Sequence, residues 1–241
     1  MKILSLDSTA LTATVALCED DRLIALYTLN SGSTQSETLL PMVESAMTLM
    51  GWQMTDIDLF ACSKGPGSFT GVRIGAATIK GLAFGSEKPC IGVSTLEALA
   101  YHLKDLSGTE DAILCPVMNA RRGQVYNALF RVHDGVMTRL CEDRALAISA
   151  LEQELSAYDL PIFLSGDGYE ITKQGMTQLA VSDTPELLRY QNAYSVAMVA
   201  LNAYQRGERT SDAELAPTYL RLPQAERERN ERLAREALQN K

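Results

Sequence analysis

The chain has 241 residues and a formal net charge of −8, with 30 Asp and Glu against 22 Lys and Arg. That length holds one large domain or two compact lobes, and the acidic balance excludes a broad electrostatic grip on nucleic acid, which needs Lys and Arg to neutralise phosphates. The five cysteines are widely spaced with no Cys-x-x-Cys pair, which excludes zinc and disulfide frameworks and predicts buried, reduced thiols. No apolar run is long enough to span a membrane, and the run at residues 1–7 is too short for a signal peptide, so a cytoplasmic protein is expected.

In chain order, residues 3–7 read as a strand, 8–11 as a turn, 12–18 as a second strand and, after the polar turn Glu19-Asp20-Asp21, 23–29 as a third. A Ser/Gly/Thr-rich loop leads to a helix over 38–50, with Leu39, Leu40, Val43, Ala46, Met47 and Met50 at helical spacing and Gly51 as its stop. Residues 57–62 form an apolar run that reads as a buried strand. It runs into Gly65-Pro66-Gly67-Ser68-Phe69-Thr70-Gly71-Val72-Arg73-Ile74-Gly75 and a helix continuing to residue 85. The glycines and proline make a tight turn, and Ser68 or Thr70 is placed to cap the helix.

This stretch is not a P-loop, because Val72 and Arg73 follow Gly71 where a Lys and a hydroxyl residue are needed. It also misses the Gly-x-Gly-x-x-Gly dinucleotide spacing by one residue. Four helical glycines, Gly71, Gly75, Gly81 and Gly85, would each cost about 1 kcal/mol against Ala. They share an arc with Ile74, Thr78 and Leu82, while Arg73 and Lys80 point away. So smooth a face lets another backbone approach, either inside the same lobe or from a partner subunit.

A short strand at 90–93 precedes Ser94-Thr95-Leu96-Glu97, a capping box opening the next helix. The second half starts over, with strands at 112–118, 124–132 and 136–140, a helix at 149–157, a strand at 162–165 and a helix at 192–205. Asp7 precedes Ala16-Leu17 by the same offsets as Asn119 precedes Ala128-Leu129, which suggests a duplicated hairpin. Gly166-Asp167-Gly168 reads first as a loop and second as part of an interlobe cleft. His102 and His133, the two histidines, read as core and surface residues, and residues 225–239 as a solvated helix of mixed charge.

The glycine stretch resembles the signature of the TsaB (YeaZ) family, which is related to TsaD. Three more stretches extend the resemblance: Leu39-Leu40-Pro41-Met42-Val43, Asn119-Ala120-Arg121-Arg122-Gly123-Gln124-Val125-Tyr126, and Ala216-Pro217-Thr218-Tyr219-Leu220-Arg221. The family pattern has Asp where this chain has Asn119 and Glu where it has Gln124. The TsaD-type metal-binding His-x-x-x-His pair is absent, since no His precedes His102.

The resemblance implies an α/β actin-like ATPase (ASKHA, RNase H-like) fold of two mixed-sheet lobes with flanking helices. The lobes are expected at 1–105 and 106–221, the last helix packing back on the first lobe, with a charged helical tail at 222–241. In such a fold both hairpin turns face nucleotide phosphates, which makes Asp7, Ser8 and Thr9 the candidate cofactor-binding residues. On spacing alone, Asp7 more often reads as a carboxylate bonding its own turn.

The function that the resemblance implies is a non-catalytic subunit pairing with TsaD for N6-threonylcarbamoyladenosine formation on tRNA. It implies TsaE in a larger complex, a homodimer when isolated and tRNA reached only through the complex. No catalytic residue, metal or cofactor is assigned to the chain alone, which leaves room for ATP or ADP at the complex interface. The competing expectations are a small-molecule kinase or ATPase and a peptidase-like protein. The expected interface is Leu39, Leu40, Val43, Met47 and Met50 on the first helix with Gly71, Ile74, Gly75, Thr78 and Leu82 on the second.

Overall fold

The computed structural model describes residues 1–106 and 111–221. The expected tail at 222–241 lies outside the described residues. Among those residues no helix is long and apolar enough to cross a membrane.

The first sheet is built from β1 (Lys2–Asp7), β2 (Ala13–Glu19), β3 (Arg22–Leu29), β4 (Leu59–Ser63) and β5 (Cys90–Val93), in the order β3-β2-β1-β4-β5. Hairpins make β1, β2 and β3 antiparallel, whereas β4 and β5 run parallel to β1 after helical crossovers. Both faces are covered, so β1 reads as a continuous apolar run. Leu4 and Leu6 meet α1 (Gln35–Met50) and α2 (Phe69–Ala83), while Ile3 on the opposite face meets α6 (Ala193–Gln205). The C-terminal helix therefore packs on the first sheet.

The second sheet holds β6 (Ala112–Asn119), β7 (Gln124–Asn127), β8 (Phe130–His133), β9 (Val136–Arg139), β10 (Arg144–Ala147) and β11 (Ile162–Ser165). The single strand expected over 124–132 is split into β7 and β8. Both pair with β6 in one continuous register, and the gap falls opposite Pro116, which has no N–H to give the ladder. The Asn127 amide covers the break by donating to the carbonyls of Pro116 and Ala128. Strand β11 runs parallel to β6, as β4 does to β1, so the duplicated unit is present in the architecture. The residue overlay slips, however. Asp7 pairs with Thr14 but Asn119 with Val125, so the second hairpin is one residue shorter.

Helices α4 (Ile148–Leu155) and α5 (Tyr169–Gly175) cover the outer face of the second sheet. The inner face takes α3 (Thr95–Leu103), whose Leu96, Leu99 and Leu103 pack on Leu114, Phe130 and Val132. A boundary at residue 105 thus separates α3 from the sheet it covers. Its N-terminus is half the expected capping box. Ser94 Oγ accepts from Glu97 N at 3.2 Å, but the Glu97 carboxylate pairs with Arg139 at 2.9 Å. Neither β10 nor α5 was expected from the sequence.

Candidate functional site

The site is built where the β1–β2 turn meets the glycine turn before α2. Ser68 caps α2 by accepting from Gly71 N at 3.3 Å. Its own N–H donates to Thr9 O at 2.7 Å, and Ser8 Oγ donates to Gly71 O at 2.8 Å. Those bonds pull the two turns together, and the glycines are what let them meet. A Cβ at Gly71 would overlap the Ser8 carbonyl oxygen, one at Gly75 would come within 2.6 Å of Ser8 Oγ, and one at Gly67 within 2.8 Å of Thr9 Cβ.

This geometry bears on two expectations. First, Gly71 and Gly75 do not present a low surface to a partner; both are buried against their own lobe. Gly85 lies beyond α2 at φ +73°, and Gly81 faces open space. Second, the candidate cofactor-binding residues Asp7, Ser8 and Thr9 are bonded to one another and to the glycine turn. All three are buried. Asp7 Oδ1 accepts from Thr9 N and Thr9 Oγ1, both at 2.7 Å, so the turn satisfies itself. Burial pushes the Asp7 carboxyl above its ordinary range, opposed by the hydrogen bonds from Thr9.

The second turn uses the same device in the open. Asn119 Oδ1 accepts from Arg121 N at 2.8 Å, the two-residue reach that Asp7 makes. An amide oxygen suffices for that bond, which explains how Asn stands where the family pattern has Asp. Arg121 and Arg122 hold left-handed φ of 64° and 54°, and Gly123 follows at 69°. Gln124 Oε1 accepts from Arg221 Nη2, again with a neutral oxygen where the pattern has Glu.

In Gly166-Asp167-Gly168, read first as a loop, Gly166 and Asp167 line the interlobe cleft. Asp167 Oδ1 accepts from Asn119 N at 2.9 Å. The side chain stays open to solvent although protein surrounds it, and that enclosure pushes its carboxyl up, with the Asp7 charge adding to the effect. The cleft here measures about 220 Å³ and is lined by Thr12, Asp167, Tyr169, Arg189 and Gln191 among others. Thr12 Oγ1 donates to Gln191 Oε1 at 2.9 Å, tying the two walls. No sequence signal marked this bond.

Other chemistry is sparse. Among the described residues no group of three His, Cys, Asp or Glu is placed to hold a metal ion. His102 Nε2 lies 3.3 Å from Leu187 O, and burial pushes its pKa down. His133 is exposed and pairs with Asp111 at 2.8 Å. Burial pushes the Cys18 thiol up to about 12 and Cys90 to about 11, so neither is an activated nucleophile.

The interface candidates separate by exposure. Leu39, Val43 and Met47 belong to the core; Leu40 and Met50 are exposed; Ile74, Thr78 and Leu82 are half-buried. Between the two helices runs an open groove of about 550 Å³ lined by Leu40, Val43, Met47, Trp52, Met54 and Leu82. Leu49 and Phe84 are also exposed, at 74% and 83%; nothing local in the sequence marks which helical face stays open.

A two-lobed α/β fold with a hairpin turn from each lobe at the cleft is that of the actin-like ATPases. An inorganic polyphosphate/ATP-glucomannokinase from Arthrobacter shares the fold at 8% identity, with a TM-score of 0.50 over 85% of this chain and 99% of that one. The model of the family described as TsaD, tRNA N6-adenosine threonylcarbamoyltransferase, matches residues 31–229. The tRNA threonylcarbamoyladenosine biosynthesis protein TsaB of Bacillus subtilis is 30% identical over 94% of this chain and 96% of its own. YeaZ from Pseudomonas aeruginosa superposes with a TM-score of 0.77 at 28% identity, covering 91% of this chain and 99% of that one. The chain belongs to the TsaB (YeaZ) family.

Proposed function

We propose that this chain is a non-catalytic subunit in threonylcarbamoyladenosine formation on tRNA, acting in the cytoplasm by pairing with a TsaD-type enzyme. The observation that carries the reading beyond family membership is the closed first turn. A kinase or ATPase of this fold needs that turn open to phosphates, and here Asp7, Ser8 and Thr9 are buried and bonded to one another and to the glycine turn. A peptidase reading has no metal-binding His pair to rest on. Chemistry then belongs to the partner, and any ATP or ADP sits at the complex interface, where a TsaE-type ATPase joins.

The surface offered for pairing is the α1/α2 groove with Leu40, Met50, Ile74, Thr78 and Leu82. A TsaD-type partner has a related fold, so like helices would meet about a pseudo-two-fold axis, and the isolated chain would pair with itself through the same face. The double variant Leu40→Glu/Met50→Glu alters only exposed side chains. It should abolish co-purification with a TsaD homologue and self-association in light scattering, with circular dichroism unchanged. Retained pairing would move the interface elsewhere. Trp52, the sole tryptophan, lines the groove, so its emission should change when the isolated protein is diluted through its dimer dissociation range.

A further inference from the structure

Among the segments of this acidic chain that contain no Asp or Glu are residues 59–86, 112–133 and 215–221. The fold brings all three to one face. Thr218 N donates to Lys64 O at 2.7 Å. The Tyr219 ring lies 4.9 Å from that of Phe69, and its hydroxyl accepts from Arg73 Nε at 2.7 Å. Arg73 lies over the Phe69 ring at 3.9 Å. Two residues on, Arg221 donates to Ala120 O and to Gln124 Oε1, fastening the segment to the turn that carries Arg121 and Arg122.

Arg73, Arg121, Arg122 and Tyr219 are all exposed. Among the described residues, the nearby acids are buried or already bonded. Asp7 is buried, Asp167 bonds Asn119 N, and Glu97 and Asp143 pair with Arg139. Arg121 and Arg122 also interact within the chain. A guanidinium has five donors in a planar fork, so an arginine already engaged still takes a phosphate oxygen.

We propose that this face binds a single-stranded RNA segment, with phosphates on Arg73 and on the Arg121–Arg122 turn and a base stacked on Tyr219. Arg221 acts as a positioning residue that holds the turn beside Tyr219. Aromatic stacking with flanking guanidinium groups is the chemistry that grips unpaired nucleotides without reading sequence. The acidic charge of the whole chain keeps the contact weak and local, and it revises the expectation that tRNA is reached only through the complex. The inference goes beyond the partner reading, since it concerns the isolated chain.

The test is fluorescence anisotropy of a labelled, unstructured RNA oligonucleotide with the full chain, titrated at several salt concentrations. Three phosphate contacts predict a slope of log K against log salt of about −2. Arg73→Gln/Arg122→Gln should weaken binding about tenfold and bring the slope to about −0.7, one contact remaining. Arg206→Gln/Arg209→Gln, an equal charge change beyond the end of α6, should leave both unchanged. Tyr219→Leu should lower affinity at constant slope. If circular dichroism shows that Arg122→Gln disturbs its turn, Arg73→Gln alone should still shift the slope by about 0.7. ATP at matched phosphate concentration should compete poorly. Binding unaffected by the Arg73 variants, equal loss in the Arg206/Arg209 control, or displacement by ATP as effective as by RNA would overturn the proposal. Loss of TsaD pairing with RNA binding retained would sink only the partner reading.

Discussion

The two hairpin turns are built on one plan and meet opposite environments. In each, a side-chain oxygen from the end of the strand accepts from the N–H two residues on, Asp7 from Thr9 and Asn119 from Arg121. The first turn is buried under the glycines of α2, and the second is exposed and carries two arginines. The backbone device is thus separable from the chemistry that the fold usually hangs on it. What decides the outcome is the neighbour. Gly67, Gly71 and Gly75 let α2 close over the first turn, whereas Arg121 and Arg122 of the second remain exposed.

The largest expected effect comes from forcing that closure apart. Gly71→Ala drives a methyl into the Ser8 carbonyl, which cannot move without breaking the turn. A loss of about 3 kcal/mol in urea unfolding is expected. An unchanged midpoint would mean that the turns are not closed. Next come the acceptors. Asp7→Ala leaves the buried Thr9 N–H and hydroxyl without their partner, for a loss of about 2–3 kcal/mol, against about 1 kcal/mol for Asn119→Ala in its exposed turn. Asp7→Asn, which keeps the oxygen and removes a buried charge, should lie much nearer wild type. Equal losses at Asp7 and Asn119 would erase the contrast between the turns.

The cleft carboxylate sharpens the comparison through pH. Enclosure by the surrounding protein raises the Asp167 pKa in the folded state although the side chain reaches solvent, so the native protein binds more protons than the unfolded chain between the ordinary aspartate range and that raised value. Its contribution is therefore a stability that falls as pH rises through this window. Asp167→Asn should flatten the fall, read as the difference between the two unfolding curves across mildly acidic pH. A parallel pair of curves would place Asp167 in bulk-like water. The smallest effect is the control. Gly81→Ala, on the exposed side of the same helix with nothing within 4 Å of the new methyl, should stabilise by about 0.5–1 kcal/mol.

Much of this was legible in sequence because it is local. The strands of the first sheet, the α1 stop at Gly51 and the Ser68 cap follow from periodicity and capping rules that act within a few residues. The four-residue strand β10 was missed because its pairing with β7 lies far along the chain, and its Arg-Ala-Leu-Ala sequence has no strand signature. Gly71 and Gly75 were legible as a close-approach face, but the choice between a partner and the chain's own Ser8 is a tertiary fact. The same holds for Leu39, Val43 and Met47, which share the helical spacing of the exposed Leu40 and Met50 yet point into the core.

The proposed function rests on the closed first turn, which is expected to leave the isolated chain without a nucleotide site of its own. Calorimetric titration of the isolated protein with Mg-ATP tests it most directly, with Gly71→Ala titrated alongside as a protein whose turn has been disturbed. The account predicts no saturable binding by the wild-type chain up to millimolar nucleotide. A saturable, stoichiometric isotherm in the micromolar range that Thr9→Val weakens would contradict it.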